Sequence, residues 1–336
     1  MTKTLIIAEA GVNHNGDLNN AKELISEAAK CGADIIKFQT FKSEKLVTSE
    51  AKKTTYQIQN TKNNSTSQKS MLSELELKDE DHIILDNHCK KNNIEFLSTA
   101  FDIKSLEMLI NVGIKRIKIP SGEITNLPYL RAVREKNLPL ILSTGMSTLE
   151  EVNDAIKVLT EKKLNKNSIT VLHCTSEYPA PLENINLKAM KSLRNKLNIE
   201  VGYSDHSIGI EVALCAVSLG AKIIEKHITL DKRLPGPDHS CSLEPNEFAR
   251  MVKSIRNIEL CLGTEIKKPS EQEILNSIQV RKSIVASRKI NFGEHFSEKN
   301  LTCKRPFNGI SPMKWDTIIG MKSNKYYEKD DPIKLE

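Results

Sequence analysis

No apolar run in this chain is long enough to cross a membrane, no two cysteines form a Cys-x-x-Cys pair, and neither charge sign dominates. The first lack excludes a helical membrane protein. The opening Leu5-Ile6-Ile7-Ala8 is too short for a signal-peptide core or a span, and nothing later is long enough either. The second lack bears on compartment: the seven cysteines (31, 89, 174, 215, 241, 261 and 303) are odd in number and scattered, which argues for reduced thiols and a cytoplasmic location. The third bears on partners. A net charge of +6 from 49 basic and 43 acidic residues, with the lysines spread along the chain, forms no stripe for nucleic acid. Neither a nucleic-acid nor a membrane partner is expected, and an anionic small molecule fits the balance.

What is present is apolar material in plenty: 39% of 336 residues, enough for one large domain with a small appendage. Short β-rich runs open at Leu5, Ile35, Glu95, Arg116, Leu140, Thr170, Glu200 and Lys222. Amphipathic stretches lie between them at 20–30, 104–112, 149–162 and 209–219, with a final helix at about 245–262. Eight strand-then-helix units predict an α/β fold, a closed parallel (β/α)8 or TIM barrel. A doubly wound open sheet is the alternative that the same alternation allows.

Two interruptions break the rhythm. After the second strand comes Asn60-Thr61-Lys62-Asn63-Asn64-Ser65-Thr66-Ser67-Gln68, too polar for core, which reads either as a disordered surface insertion or as a substrate-covering loop. A second break falls at 263–279, where Lys267-Lys268-Pro269-Ser270-Glu271 ends the helical pattern. Beyond it, strand-like pieces at 283–286, 290–294 and 306–310 suggest a separate small domain. The expected division is a barrel over 1–265, a linker over 266–279, and a domain over 280–336 that packs on a barrel, its own or a neighbour's.

In such a barrel, chemistry sits where the strands end at their C-terminal side. Those ends carry Glu9, then Lys37 and Gln39, Ser98-Thr99, Lys118 with Ser121-Gly122-Glu123, Ser143-Thr144, His173-Cys174-Thr175, Asp205-His206 and Glu225-Lys226-His227. Packing alone requires no such density of polar groups. Lys37 and Lys118 aimed into one mouth, among hydroxyls and glycine-flanked amides, would bind an anion bearing phosphate and carboxylate. His206 and His227, each beside or just after a carboxylate, and Asp238 in the turn Pro235-Gly236-Pro237-Asp238-His239, have the look of divalent-metal ligands. Blander readings stand beside these. A strand lysine is more often a snorkelling surface residue, His82, His88 and His295 read as exposed or locally bonded, and Asn13-His14-Asn15-Gly16 has the composition of a turn.

Taken together, certain motifs resemble the sialic acid synthase family. They are Ala8-Glu9-Ala10-Gly11-Val12-Asn13-His14-Asn15-Gly16, Ile36-Lys37-Phe38-Gln39-Thr40, Lys118-Ile119-Pro120-Ser121-Gly122-Glu123, Leu142-Ser143-Thr144-Gly145-Met146, His173-Cys174-Thr175 with Tyr178-Pro179, Tyr203-Ser204-Asp205-His206, Glu225-Lys226-His227, Gly236-Pro237-Asp238 and Lys304-Arg305-Pro306. They occur in the family's order along essentially the whole chain. The resemblance implies a (β/α)8 barrel joined to a C-terminal antifreeze-like (SAF) domain, and a domain-swapped homodimer. It implies a transferase that couples phosphoenolpyruvate to an N-acylated mannose-type sugar, yielding a nonulosonic acid and phosphate.

Carried over by motif, the resemblance implies that His206 and His227 hold a divalent metal, typically Mn2+, with Mg2+ or Co2+ as other candidates. Lys37, Thr99, Lys118, Ser121, Ser143 and Ser204 match positions that hold phosphoenolpyruvate. Glu9 matches the base that activates water or relays protons. Gln39, Tyr178 and Asp238 would meet the sugar, and Arg305 would reach its N-acyl group from the partner's C-terminal domain. Two departures stand out: Ser176 where many relatives carry Asn, and Phe307 where the loop after Arg305-Pro306 usually has Gly. N-acetylmannosamine, giving N-acetylneuraminate, is favoured; 2,4-diacetamido-2,4,6-trideoxymannose, giving legionaminate, is the alternative. A sugar-binding protein without chemistry and a metal-dependent hydrolase are the readings from other classes.

Overall fold

The structure, a computed structural model, describes residues 3–61 and 65–335; Lys62, Asn63 and Asn64 of the polar tract lie outside the described residues. Eight strands, β1 (Leu5–Gly11), β2 (Ile35–Thr40), β3 (Glu95–Ala100), β4 (Ile117–Ile119), β5 (Leu140–Ser143), β6 (Ile169–Cys174), β7 (Glu200–Asp205) and β8 (Ile223–His227), form a closed barrel. Every pair is parallel, and β8 returns to β1 with Glu9 opposite His227, which excludes the open sheet. The expected strands are all present.

Side chains alternate across each strand, so two faces follow directly from the sequence. Ile7, Ile35, Leu97, Ile141, Leu172 and Ile223 point to one another and fill the barrel floor. Their neighbours Ile6, Ala8, Ile36, Phe38, Phe96, Val171 and Ile224 join the larger core between strands and helices. Each such fully buried aliphatic side chain contributes roughly 1.5–3 kcal/mol by leaving water. The helices begin where short polar side chains satisfy free amides: Asp17 accepts from Asn19 and Asn20 ahead of Leu18–Lys30, and Asp102 accepts from Lys104 and Ser105 ahead of Ile103–Val112.

Between β2 and the helix Asp79–Lys91 the chain makes short helices at Ser43–Leu46, Thr55–Thr61 and Gln68–Glu74. Met71, Leu72 and Leu75, from the last of these and the residue after it, pack with Val12 and Phe41, and Leu46 of the first packs against them. Of the polar tract, Asn60 and Thr61 close the second of these helices and Ser67 and Gln68 open the third, so these described residues belong to regular structure. His82, read as exposed or locally bonded, is buried; it is bonded locally to the Lys78 carbonyl and also to Thr40 Oγ1, each at 2.8 Å.

The chain divides into two compact units, Met1–Gly263 and Thr264–Glu336. In the second, helix Glu271–Val280 occupies most of the stretch read as a linker, and β9 (Ser283–Ala286) pairs antiparallel with β10 (Leu301–Lys304). Strand β10 escaped the sequence reading because Thr302, Cys303 and Lys304 carry little apolar character. Residues 290–294 contribute an isolated bridge, Ile290 to Tyr327, and 306–310 form no strand. The core here is small: Ile284, Ala286, Ile290, Phe296, Leu301, Ile318, Tyr327 and Ile333.

Candidate active site

Two residues beyond the apolar floor, strand alternation brings the next inward layer to Glu9, Lys37, Thr99, Ser143, Cys174 and Glu225, and Lys118 and Ser204 complete it. The chain therefore lays a polar layer directly on a hydrocarbon one. Lys37 and Lys118 are both 3% exposed, so neither is the snorkelling surface lysine of the blander reading. Lys37 Nζ lies 2.6 Å from Glu9 Oε2 and 3.7 Å from Glu225 Oε2, and donates to Thr99 Oγ1 at 3.1 Å. Lys118 Nζ donates to Ser143 Oγ at 2.8 Å and stands 3.4 Å from Glu225 Oε1, which also accepts from Ser204 Oγ at 2.9 Å.

Above this layer sit the imidazoles of His206 and His227, with ring centroids 5.6 Å apart. Tyr178 stacks on His206 at 4.2 Å and is stacked in turn by Tyr56 from the insertion at 5.2 Å. His206 Nδ1 is 2.6 Å from the Thr175 carbonyl, which only accepts, so Nδ1 carries the proton and Nε2 presents its lone pair. His227 Nδ1 is buried without a hydrogen-bond partner, 3.9 Å from Asp238 Oδ2. All these groups, with Gln39 and Ser121, line one cavity of about 410 Å³. Ser121 Oγ accepts from the Gly145 amide at 2.9 Å.

Burial sets the protonation states. Burial pushes Glu9 up to about 7 despite Lys37 beside it, and the charge of Glu225 adds to the rise. Glu225 feels the same burial, but Lys118 and Lys37 outweigh it and bring it down to about 2. Burial lowers His206 to about 4 and, helped by His206 and Lys37, holds His227 well below the imidazole range. Burial raises Asp238 to about 6. At neutral pH the layer thus holds one firm carboxylate and one carboxyl near its midpoint, with two neutral imidazoles above it.

Neutral imidazoles with an unbonded buried nitrogen suit a divalent cation, whose ligands must be deprotonated. Among the described residues no set of three or more His, Cys, Asp or Glu side chains is arranged to hold a metal, so further positions around such a cation would fall to water or substrate oxygen. The carboxylate preceding His206 is not available. Asp205 points to the outer face of the barrel, where its Oδ2 meets Lys226 Nζ at 2.9 Å, both side chains fully buried.

Twelve of the thirteen residues singled out from the sequence line this one cavity, and Arg305 lies exposed in the C-terminal unit. Glu225, which links both lysines, had no assigned role; its place two residues before His227 on β8 was the available signal, since such residues share a face. Tyr56, Gln57 and Gln68 also line the cavity, and nothing in their polar surroundings marked them. Ser176 sits over Gly145, where an added Cβ would come within 2.1 Å of its Oγ. Phe307 donates its backbone amide to the Ile278 carbonyl at 2.7 Å.

The chain matches the NeuB family over residues 24–267 and the SAF domain over residues 281–336. The N,N'-diacetyllegionaminic acid synthase of Campylobacter jejuni is 52% identical over 334 residues, which is 99% of this chain and 100% of that protein. The enzyme of the same name from Legionella pneumophila is 49% identical, over 94% of this chain and 89% of that protein. Among solved structures, the N-acetylneuraminic acid synthetase of Leptospira borgpetersenii in complex with citrate superposes with a TM-score of 0.72 at 36% identity, covering 82% of this chain and 90% of that one. With nearly the whole chain aligned at about half identity and the barrel closed as those motifs imply, this chain belongs to the NeuB family and ends in a SAF domain.

Proposed function

We propose that the protein condenses phosphoenolpyruvate with an N-acylated amino sugar and water, forming a nonulosonic acid and releasing phosphate. The observation that carries this is the buried layer beneath the two imidazoles. Two buried lysines share the one firm carboxylate of Glu225, with Glu9 near its midpoint beside Lys37, and a substrate anion fits the positive charge that remains. Of the two products expected from the sequence, the relatives at 52% and 49% identity favour legionaminate over N-acetylneuraminate, toward which the motifs leaned. The sugar is then 2,4-diacetamido-2,4,6-trideoxymannose.

Lys37 and Lys118 bind the phosphate and carboxylate, and Thr99, Ser121, Ser143 and Ser204 supply hydroxyl donors that fix the anion's orientation. Gln39, Tyr178 and Asp238 meet the sugar. His206 and His227 would hold the cation, Mn2+ with Mg2+ or Co2+ as substitutes, which when bound supplies Lewis-acid polarisation of the sugar's aldehyde. The enol carbon attacks that aldehyde, and water adds at the carbon left electron-poor before phosphate departs. Glu9, titrating near 7, is placed to take the proton of this water. Tyr178 over His206, with Tyr56 over Tyr178, screens the reacting atoms from bulk water. Arg305 meets the N-acyl group from a partner's C-terminal domain in a swapped homodimer, and the protein works in the cytoplasm. Among the described residues no helix is long and apolar enough to cross a membrane.

The test is phosphate release from phosphoenolpyruvate with Mn2+, with N-acetylmannosamine and 2,4-diacetamido-2,4,6-trideoxymannose supplied in parallel. Faster release with the trideoxy sugar is the expected result. Release with neither would return the chain to sugar binding or metal-dependent hydrolysis.

A further inference from the structure

One wall of the cavity differs in kind from the rest. Val12, Met71, Leu72, Leu75 and Phe101 line the same cavity as Glu9 and Lys37, yet they belong to a packed apolar cluster. We propose that this wall, carried mainly by the helix Gln68–Glu74, selects a sugar with a methyl group at C6 and an acylamino group at C4 over one with a hydroxymethyl and a hydroxyl there. The inference rests on the condensation reading and names the part of the site that chooses its sugar.

A C6 hydroxyl seated against these side chains gives up its water and finds no donor or acceptor in return, whereas a methyl group gains contacts and loses nothing. Polar groups stand beside the wall for an acylamino substituent. Gln57 and Gln68 of the same insertion line the cavity, and Gln57 is held in place by accepting from the Thr54 amide at 2.9 Å.

The wall is also held in place. Gly16 has φ +75°, and a Cβ added there would come within 2.5 Å of the Glu74 carbonyl, so the helix end is seated against a residue that only glycine makes possible. Asn60 Nδ2 donates to the Pro237 carbonyl at 2.8 Å, tying the insertion to the loop that carries Asp238. A wall whose helix is seated at its end discriminates without first having to fold onto its ligand.

The experiment measures kcat/KM for both sugars with phosphoenolpyruvate and Mn2+ in the full-length protein. The wild type should prefer 2,4-diacetamido-2,4,6-trideoxymannose over N-acetylmannosamine by about 10–100-fold. Leu72→Gln and Met71→Gln should each cut that ratio about 10-fold through the trideoxy sugar, with KM for phosphoenolpyruvate unmoved. Leu72→Met, which keeps the wall apolar, should hold the ratio. Equal losses on both sugars in the Gln variants, or a Leu72→Met ratio as low as that of Leu72→Gln, overturn the wall's role. A wild-type preference for N-acetylmannosamine overturns it too while leaving the condensation standing. Phosphate release with neither sugar overturns the condensation itself.

Discussion

Two groups of buried charges lie one residue apart in this barrel and behave in opposite ways. On the outer face, Lys226 and Asp205 meet at 2.9 Å, both fully buried. Asp205 Oδ1 also accepts from the Ser207 amide and hydroxyl at 2.9 and 2.6 Å, and Lys226 donates to the Ser207 carbonyl. Those charges answer one another and pin the turn that carries His206. On the inner face, one residue back along each strand, Glu225 is shared between two lysines at 3.4 and 3.7 Å, and Glu9 has been pushed up to about 7. A network that satisfies itself is architecture; one left unbalanced around a cavity has room for a ligand.

The sharpest way to separate the faces is His206→Ala, which should lower phosphate release at least about 1,000-fold while the melting temperature stays within a few degrees. Activity that survives this change would remove the imidazole pair from the proposal. Next is Glu9→Gln, expected to cost about 100–1,000-fold in kcat. It carries a stability signature as well. Because the folded protein holds the Glu9 proton up to about 7, against an ordinary value of 4.5, stability from the neutral form is full below about 4.5 and fades as pH rises through about 7. In protein free of cation and substrate, His206 and His227, held below the imidazole range, make stability rise with pH up to about 6.5, so Glu9 is read by difference: the urea midpoint of the wild type relative to Glu9→Gln should fall across that window. Glu225, depressed to about 2, runs the other way, its contribution present above 4.5 and lost as pH drops toward 2.

The outer face should instead yield a stability effect. Lys226→Met strands Asp205 without its cation and should cost about 3–5 kcal/mol in urea unfolding; an unchanged midpoint would mean that the pair contributes no more than its own desolvation. The smallest effect belongs to Gly16→Ala, which crowds the Glu74 carbonyl and should raise KM for the sugar a few-fold with KM for phosphoenolpyruvate constant. A rise in both would place the disturbance in the charged layer rather than the wall.

The barrel strands and the residues at their ends were legible because both follow from a period of two read along one strand at a time. Glu9, Lys37, Thr99 and Ser143 stand two positions beyond Ile7, Ile35, Leu97 and Ile141, so an apolar floor under a polar layer is written into the alternation. The insertion was harder. Its composition is that of a surface loop, and only packing against Val12 and Phe41 shows that Met71, Leu72 and Leu75 form a wall. Asp205 shows the same alternation: standing beside His206 in sequence puts it on the opposite face in space.

The amino-acid sequence by itself determined the eight strands, their inward residues and the lack of an apolar run long enough for a membrane-crossing helix, because these depend on local alternation and run length. Tertiary structure alone decided which carboxylate holds its charge, which imidazole nitrogen is free, and what the insertion covers. Those depend on burial and on groups far apart in the chain, such as Glu9 with Lys37 and Glu225, whose mutual fields exist only once the barrel has closed.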